Sequence, residues 1–513
     1  MYGSSLAGLL DGPARHAAAA PALLVGERVE RTWAGLAEAV ARRAGGLRER
    51  HGIGPGDAVA LYAANHSAYL EALFAIWHAG AVAVPISSRL HAREAADIVD
   101  RSHALLCFAT DDVAAALGRE PLAVPMLVFG EDEESGLAAF EPVAATPRLS
   151  TDDAWIFFTS GTTGKPKGAR LSHGNLWAMA AAFMADSMAI DSQDSIVHVA
   201  ALSHASGLMA LPFVSRAAAQ VLPESGGFDA DELLALIAAG SRSSFFVPPT
   251  LLRRLCAHPL AGSGVGEAIG TILVGAAPVA PAELRDGVEA FGPCLWNGYG
   301  QGETPCTITA NGKRAIGDAV AAGDEDALRS VGVARVGLSV RTLGEDGVEV
   351  APGEVGEVCV DGPTVMAGYL DMPEASAEAL RGGWLHTGDL GRFDEQGRLT
   401  LVDRAKDVII TGGYNVYPRE VEDVLDLDPA VAEVAVVGVA DPEWGERIVA
   451  FVVPAPEATI DRERLDRSCL EAIARHKRPK QYHEVGALPR NAAGKVLKST
   501  LREQAVGSAD GRG

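Results

Sequence analysis

The feature that most restricts this chain is a repeated alternation of short apolar runs, Gly/Pro turns and helical patterns through roughly its first 330 residues. Between residues 30 and 130, Thr32 and Asp57 fall where N-caps or turns are wanted, and Ala58–Ala63 reads as a buried strand after a Gly-Pro-Gly-Asp turn. Apolar runs at Ser195–Ala200, Ser244–Val247 and Thr271–Val274 repeat the scheme. Strands joined through helices pair in parallel and need helices on both faces. The chain is therefore read as α/β, its large N-terminal part built on helix-flanked, mainly parallel sheets.

Two changes of texture follow. From Gly332 to Gly362 short runs are separated by Glu-Asp-Gly and Pro-Gly turns, which predicts antiparallel hairpins or a small barrel. After Asp403 come a charged turn, a helix over about Pro418 to Leu425, a strand at Glu433–Val439 and a basic C-terminal stretch, an α+β pattern. The expected division is a domain over 1–403 with a β-rich subdomain at about 330–402, a hinge at 404–407, a small mobile domain over 408–505, and a tail over 506–513.

Charge and cysteine usage narrow the function classes. The 44 basic and 67 acidic residues leave a net charge of −23, which repels nucleic acid and anionic lipid, so a phosphate ligand needs a local site. Six cysteines, at 107, 256, 294, 306, 359 and 469, lack ligand-like spacing and predict neither zinc nor a disulfide framework. The first residues show no secretory pattern, and the apolar stretch Ala72 to Ile86 is broken by His78, Gly80 and Pro85. The expectation is a cytoplasmic protein with neither a membrane span nor a nucleic-acid partner.

The segment richest in chemistry is Thr159-Ser160-Gly161-Thr162-Thr163-Gly164-Lys165-Pro166-Lys167-Gly168, directly after the apolar run Ala154–Phe158. Its glycines permit turns that expose successive N–H groups, the hydroxyls add donors, and two lysines add charge, which together suit an oxygen-rich anion. It is not a P-loop, because two residues rather than four separate Gly161 from Gly164 and Pro166 follows the lysine.

This stretch resembles the phosphate loop of the adenylate-forming enzymes: acyl-CoA synthetases, luciferases and the adenylation domains of peptide synthetases. Further matches occur in the family's order from Thr32 to about Leu501. Gly275-Ala276-Ala277-Pro278 resembles the segment lining the adenine and acyl pocket. Asn297-Gly298-Tyr299-Gly300-Gln301-Gly302-Glu303 is similar to Y-G-x-T-E, which implies Tyr299 against adenine, Asn297 and Gly298 at its polar edge, and Glu303 as a magnesium ligand. Gly302 stands where threonine is usual. That removes one hydroxyl, and restoring it is expected to leave activity within about tenfold. Thr387-Gly388-Asp389 matches T-G-D and implies Asp389 on the ribose hydroxyls. Asp403-Arg404-Ala405-Lys406-Asp407 stands where G-R-x-K-D is usual, implying Arg404 on ATP oxygens, Lys406 at the pivot, and an Asp403 that is merely tolerated. Gly412-Gly413-Tyr414 opens a segment similar to the one lining the pantetheine tunnel. Lys495, in Pro489-Arg490-Asn491-Ala492-Ala493-Gly494-Lys495, resembles the lysine that bridges carboxylate and α-phosphate.

The resemblance implies an ATP- and Mg²⁺-dependent acid–thiol ligase that forms an acyl-adenylate and passes the acyl group to coenzyme A, with Lys495, Glu303, Thr163 and His204 as the catalytic group. Leu202-Ser203-His204-Ala205-Ser206-Gly207 resembles the acyl-pocket segment, so His204 would wall or gate that pocket. Ala205 falls where amino-acid-activating relatives carry aspartate, which leaves a fatty or aromatic acid. Phe245 to Thr250 reads as further apolar wall, and Arg253 as a surface residue. Loading of an acyl carrier protein and an inactive nucleotide-binding scaffold are the competing readings.

Overall fold

The computed structural model describes residues 5–117, 122–131, 134, 136–159, 166–240, 242–490 and 496–507. Its residues form two compact units. The first comprises Met1–Val340, Val360–His386 and Gly397–Leu399; the second comprises Arg341–Cys359, Thr387–Gln396 and the chain from Thr400 onward.

The first unit holds two sheets. In the six-stranded one the order is Met126–Val128, Ala104–Ala109, Ala58–Ala63, Val82–Ser87, Asp153–Thr159, Lys167–Ser172. All pairs are parallel except the last. Ala58–Ala63 and Val82–Ser87 are buried at every position, as strands covered on both faces must be. The turn before Ala58 closes as its sequence suggests, the Gly54 N–H donating to Asp57 Oδ2 at 2.8 Å. Helix Trp33–His51 begins at Thr32, whose hydroxyl accepts from Gly35 N–H at 3.2 Å, and ends at Gly52 with φ of +67°.

The nine-stranded sheet runs Val333–Ala334, Thr309–Asn311, Leu295–Tyr299, Ile269–Val274, Ser243–Val247, Ser195–Val197, Ala219–Leu222, Pro21–Val25, Arg28–Thr32. Its inner pairs are parallel and its margins antiparallel. Its core gathers Val197, Phe245, Val247, Ile272 and Val274 with Leu233, Ile237, Leu252 and Leu284 from covering helices.

The β-rich segment forms a four-stranded sheet in the order Ser339–Leu343, Gly356–Asp361, Leu385–Phe393, Leu399–Arg404, open at both ends rather than closed into a barrel. In the second unit, Tyr414–Val416, Ile409–Thr411, Gly445–Pro454 and Val431–Asp441 are antiparallel neighbours, and Gln481–Glu484 adds in parallel. Alternation along Val431–Asp441 decides what covers each face. Val436 joins Val421 and Leu425 of helix Pro418–Leu425, whereas Val437 and Val439 meet Leu501 and Ala505 of helix Lys498–Gly507. That last helix extends two residues into the segment expected to be tail.

Candidate active site

Strands Asp153–Thr159 and Lys167–Ser172 form an antiparallel hairpin with Thr159 opposite Lys167, so the stems of the Gly/Ser/Thr loop are fixed together. The loop residues Ser160, Gly161, Thr162, Thr163, Gly164 and Lys165 lie outside the described residues, as does Lys495. A third segment docks on the hairpin: Ala367 N–H donates to Arg170 O at 2.9 Å, Arg170 N–H to Gly368 O at 2.9 Å, and Leu370 N–H to Gly168 O at 2.8 Å.

That docking delivers Tyr369, which sequence reasoning missed. Its hydroxyl donates to Glu303 Oε1 at 2.9 Å, and Thr159 Oγ1 donates to the same oxygen at 3.3 Å. Burial, then the Glu303 charge, push the Tyr369 phenol upward, so it stays a donor. The Lys167 ammonium lies 4.9 Å from the Tyr369 ring centroid. Glu303 is buried, and among the described residues both hydrogen bonds to its carboxylate fall on Oε1. A buried carboxylate offers the hard oxygen type that suits Mg²⁺.

The turn carrying Glu303 follows strand Leu295–Tyr299. Asn297 and Tyr299 are buried on one face of it, paired with Asn311 and Thr309 across the ladder. Gly300 is obligatory, since a Cβ there would sit 2.3 Å from the Cys306 carbonyl carbon. After Gln301 the chain turns tightly, Cys306 N–H donating to Gln301 O at 2.9 Å. Gly302 corrects a sequence expectation. A Cβ on it would lie 2.6 Å from Thr159 Cγ2 and 2.7 Å from Phe157 Cδ1. The space a threonine would need is filled from the neighbouring sheet, so the glycine is matched to Phe157 rather than being a plain loss of one hydroxyl.

Just past the adjacent strand Ile269–Val274, Gly275 is buried, whereas Ala276 and Ala277 are exposed. Ala276 has φ of +67°, a strained value for a residue with a Cβ. Strand Ser243–Val247 contributes Phe246, whose Cε2 lies 3.4 Å from the Cβ position of Gly275. Arg253 pairs with Glu283 at 2.8 Å and stays half exposed, in keeping with a surface residue.

His204 precedes helix Ala205–Ser215. Its Nδ1 bonds Ser203 Oγ at 2.9 Å, and Phe157 meets it edge-on at 5.5 Å between centroids. Burial and then Arg89 lower its pKa, favouring the neutral ring. The segment around it is held by Asn65, also missed: its amide donates to His198 O and Ala200 O at 3.0 Å, and its Oδ1 accepts from Leu202 N–H at 2.8 Å. Gly207 follows from the same turn, because a Cβ would fall 2.0 Å from Leu202 O. Beneath, His198 Nε2 donates to Gln220 Oε1 at 3.1 Å while Nδ1 accepts from Ser206 at 2.8 Å.

Within the second unit, Asp389 is buried and pairs with Arg404 Nε at 3.0 Å. Asp403, expected to be merely tolerated, instead holds two backbone groups. Its carboxylate accepts from Arg404 N–H at 2.7 Å and from Arg419 N–H at 2.9 Å, at the start of helix Pro418–Leu425. Burial raises its pKa while Lys498, which also pairs with Glu422 at 2.8 Å, opposes that rise. Lys406 is exposed on the turn Ala405–Asp407, whose Asp407 pairs with Arg502 at 2.7 Å. Gly412 and Gly413 have φ of +57° and +80°. Tyr414 is exposed and stacks on His476 at 4.6 Å.

The loop stems and the carboxylate turn of the first unit carry motifs similar to those of the adenylate-forming enzymes, and comparison with known proteins agrees on the family. The chain matches the family model described as AMP-binding enzyme over residues 11–370 and the AMP-binding enzyme C-terminal domain over residues 420–495. It is 37% identical over 478 residues to a feruloyl-CoA synthase of Amycolatopsis sp, covering 92% of this chain and 94% of that protein. It is similar in structure to ATP-bound MatB from Rhodopseudomonas palustris, with a TM-score of 0.87, 29% identity, and 98% and 99% of the two chains covered. For o-succinylbenzoate CoA synthetase (MenE) from Bacillus subtilis, in complex with its acyl-adenylate intermediate, the TM-score is 0.86, with 28% identity and coverage of 96% and 98%. The chain belongs to the AMP-binding enzymes, the adenylate-forming acid–thiol ligases.

Proposed function

We propose that this chain activates an aromatic monocarboxylic acid with Mg·ATP and transfers the acyl group to coenzyme A. In the first step a carboxylate oxygen attacks the α-phosphorus and pyrophosphate leaves. In the second the CoA thiolate attacks the adenylate carbonyl and AMP leaves. The observation that carries the reading is the position of Glu303 beside the stem of the phosphate loop, its carboxylate bonded to Thr159, the last residue before Ser160. Glu303 would hold Mg²⁺, whose charge would offset that of the phosphates. Tyr369 and Thr159 orient the carboxylate.

The remaining roles follow the motif order. Ser160 to Lys165 would cradle phosphates, Thr163 among them; Tyr299 with Asn297 and Gly298, and the Gly275–Ala277 turn, would receive adenine; Asp389 and Arg404 would hold ribose and phosphate oxygens. Lys495 would bridge the reacting groups, and Gly412 to Tyr414 would pass the thiol tether. The reaction uses the division expected from the sequence, with Lys406 as pivot between residues 1–403 and 408–505. His204, half-buried and held neutral, would wall the acid pocket.

Coenzyme A as acceptor is supported by an exposed arrangement on the second unit. Lys477 and Arg478 are engaged by Glu420 and Asp466, but Arg475 is exposed next to the His476–Tyr414 stack. An aromatic face beside a cation suits a nucleotide's base and phosphate. The aromatic acid is supported by the feruloyl-CoA synthase relative. A cytoplasmic setting suits its six free thiols.

The test is pyrophosphate release from Mg·ATP over aromatic, fatty and dicarboxylic acids, with and without CoA. The proposal expects CoA-dependent turnover and an aryl thioester. Release without CoA dependence would give the acceptor role to a carrier-protein thiol, and silence with every acid would refute acid activation.

A further inference from the structure

Asn175 makes more hydrogen bonds than its place in the fold requires. It is the third residue of helix His173–Ala182, whose N-cap is Ser172. Two bonds complete that cap: Asn175 N–H donates to Ser172 Oγ at 3.1 Å, and Asn175 Oδ1 accepts from Ser172 N–H at 2.8 Å. The side chain serves the helix only as an acceptor, so a carboxylate there would do as well. The amide nitrogen takes no part in the cap. Both of its hydrogens go to the segment that docks on the hairpin, to Pro363 O at 2.7 Å and Val365 O at 2.9 Å.

Val365 O and Met366 N–H belong to one planar trans peptide and point in opposite directions. The Met366 N–H donates to Glu303 O at 2.9 Å. A single rigid peptide thus links the Asn175 amide to the main chain of Glu303. Hydrogen bonds in series through a peptide polarise one another, which strengthens the link. Three residues further on, the Tyr369 hydroxyl reaches Glu303 Oε1 at 2.9 Å, while Tyr369 N–H is tied to Ser376 Oγ at 2.8 Å. The segment therefore holds Glu303 at both backbone and carboxylate. Asn175 itself follows directly from hairpin strand Lys167–Ser172, at whose other end Lys167 faces Thr159. Its two donors fix where along that hairpin the segment begins, and so where Tyr369 and Glu303 come to rest.

We propose that Asn175 is a positioning residue for the metal site: through the Val365–Met366 peptide it sets the place of Glu303 against the stem of the phosphate loop. It acts through Glu303 rather than on the nucleotide. The inference rests on the reading above in which Glu303 holds Mg²⁺, and adds to it a residue outside every motif that reading uses.

Two variants separate the cap from the link. Asn175→Asp keeps the acceptor oxygen for Ser172 but turns a charged oxygen, in place of two donors, towards the Pro363 and Val365 carbonyls. Ser172→Ala does the converse, removing the capping hydroxyl and leaving the amide's bonds to those carbonyls. Calorimetry with Mg·ATP, and with ATP in EDTA, gives two Kd values whose ratio isolates the metal. Wild type is expected to bind Mg·ATP the more tightly. In Asn175→Asp the Mg·ATP Kd should rise about fivefold or more while that of metal-free ATP stays within about twofold. Ser172→Ala should lower Tm and leave the ratio unmoved. Adding Tyr369→Phe to Asn175→Asp should raise the half-saturating Mg²⁺ concentration by less than the product of the single factors, because both act on one carboxylate. A wild-type ratio in Asn175→Asp would overturn the proposal, as would an equal fall of the ratio in Ser172→Ala. Should the aspartate variant not fold, an unmoved ratio in Asn175→Ala, at a Tm near that of Ser172→Ala, overturns it equally. Equal binding of Mg·ATP and ATP by the wild type would instead remove the metal role of Glu303, a result distinct from a preference that survives the variant.

Discussion

Replacing Gly302 by threonine tests whether this position is matched to its surroundings. The new Cβ would stand 2.6 Å from Thr159 Cγ2 and 2.7 Å from Phe157 Cδ1. Carbon atoms in contact prefer about 3.5–4.0 Å, so a gap of about 1 Å must open. Phe157 has little freedom to retreat, being 9% exposed and set between Trp155 and His204. Thr159 can move only by disturbing its bond to Glu303. Overpacking of this kind costs about 1–3 kcal/mol, and a weakened hydrogen bond to a carboxylate adds to it. A loss near 2–3 kcal/mol in the transition state corresponds to about a 30- to 150-fold fall in kcat/KM. The assay is pyrophosphate release by the single variant, by Phe157→Leu, and by the two combined. Because the two positions share one space, the double variant should recover to within about fivefold of Phe157→Leu alone, a coupling typical of residues in contact. An active Gly302→Thr enzyme, or a double variant with additive losses, would refute the reasoning.

Removing the Tyr369 hydroxyl with Tyr369→Phe deletes the 2.9 Å bond to Glu303 and should raise the Mg²⁺ concentration for half-maximal rate by about tenfold; an unchanged Mg²⁺ profile would contradict the orienting role. Lys495→Ala should abolish adenylate formation yet largely spare thioester formation from supplied acyl-adenylate, and equal loss of both halves would sink the assignment of that lysine to the first step. His198 and His173 are buried, and burial lowers each to about 4 from 6.5. Both are neutral in the fold, so the unfolded chain binds their protons first: stability is complete above pH 6.5 and declines as pH falls towards 4, by on the order of 3 kcal/mol per histidine. Urea midpoints that stay flat between pH 7 and 4.5 would show that these rings are not held neutral.

What could be read from the sequence was local. The strand Ala58–Ala63 and the helix Pro418–Leu425 agree with expectation because each is bounded by its own punctuation, a Gly-Pro-Gly-Asp turn before one and a proline opening the other. Strand Glu433–Val439 was expected too short because its ends, Val431 and Asp441, are fixed by pairing with Pro454 and Gly445 rather than by turn residues. Tyr369 left no trace in a single sequence: it meets Glu303 only because residues 367–370 pair with the hairpin strand at 168–170. Asn65 acts on residues more than 130 positions away. Gly302 was misjudged for the same reason, since the room at a glycine is decided by whatever packs against it, here Phe157 from the other sheet. Chemistry concentrated in a motif is legible, whereas the groups that aim it are supplied by distant chain.

The nine-stranded sheet also sets a timetable for synthesis. Strand Pro21–Val25 leaves the ribosome well before its parallel partner, Ala219–Leu222. At the usual elongation rates of about 5–20 residues per second, this apolar strand waits about 10–40 s for the residues that will shield it. The six-stranded sheet, complete once Ser172 has emerged, can assemble during that interval. The order of emergence thus runs against the order of pairing at one strand, and there the nascent chain is open to capture by chaperones or by the wrong sheet edge.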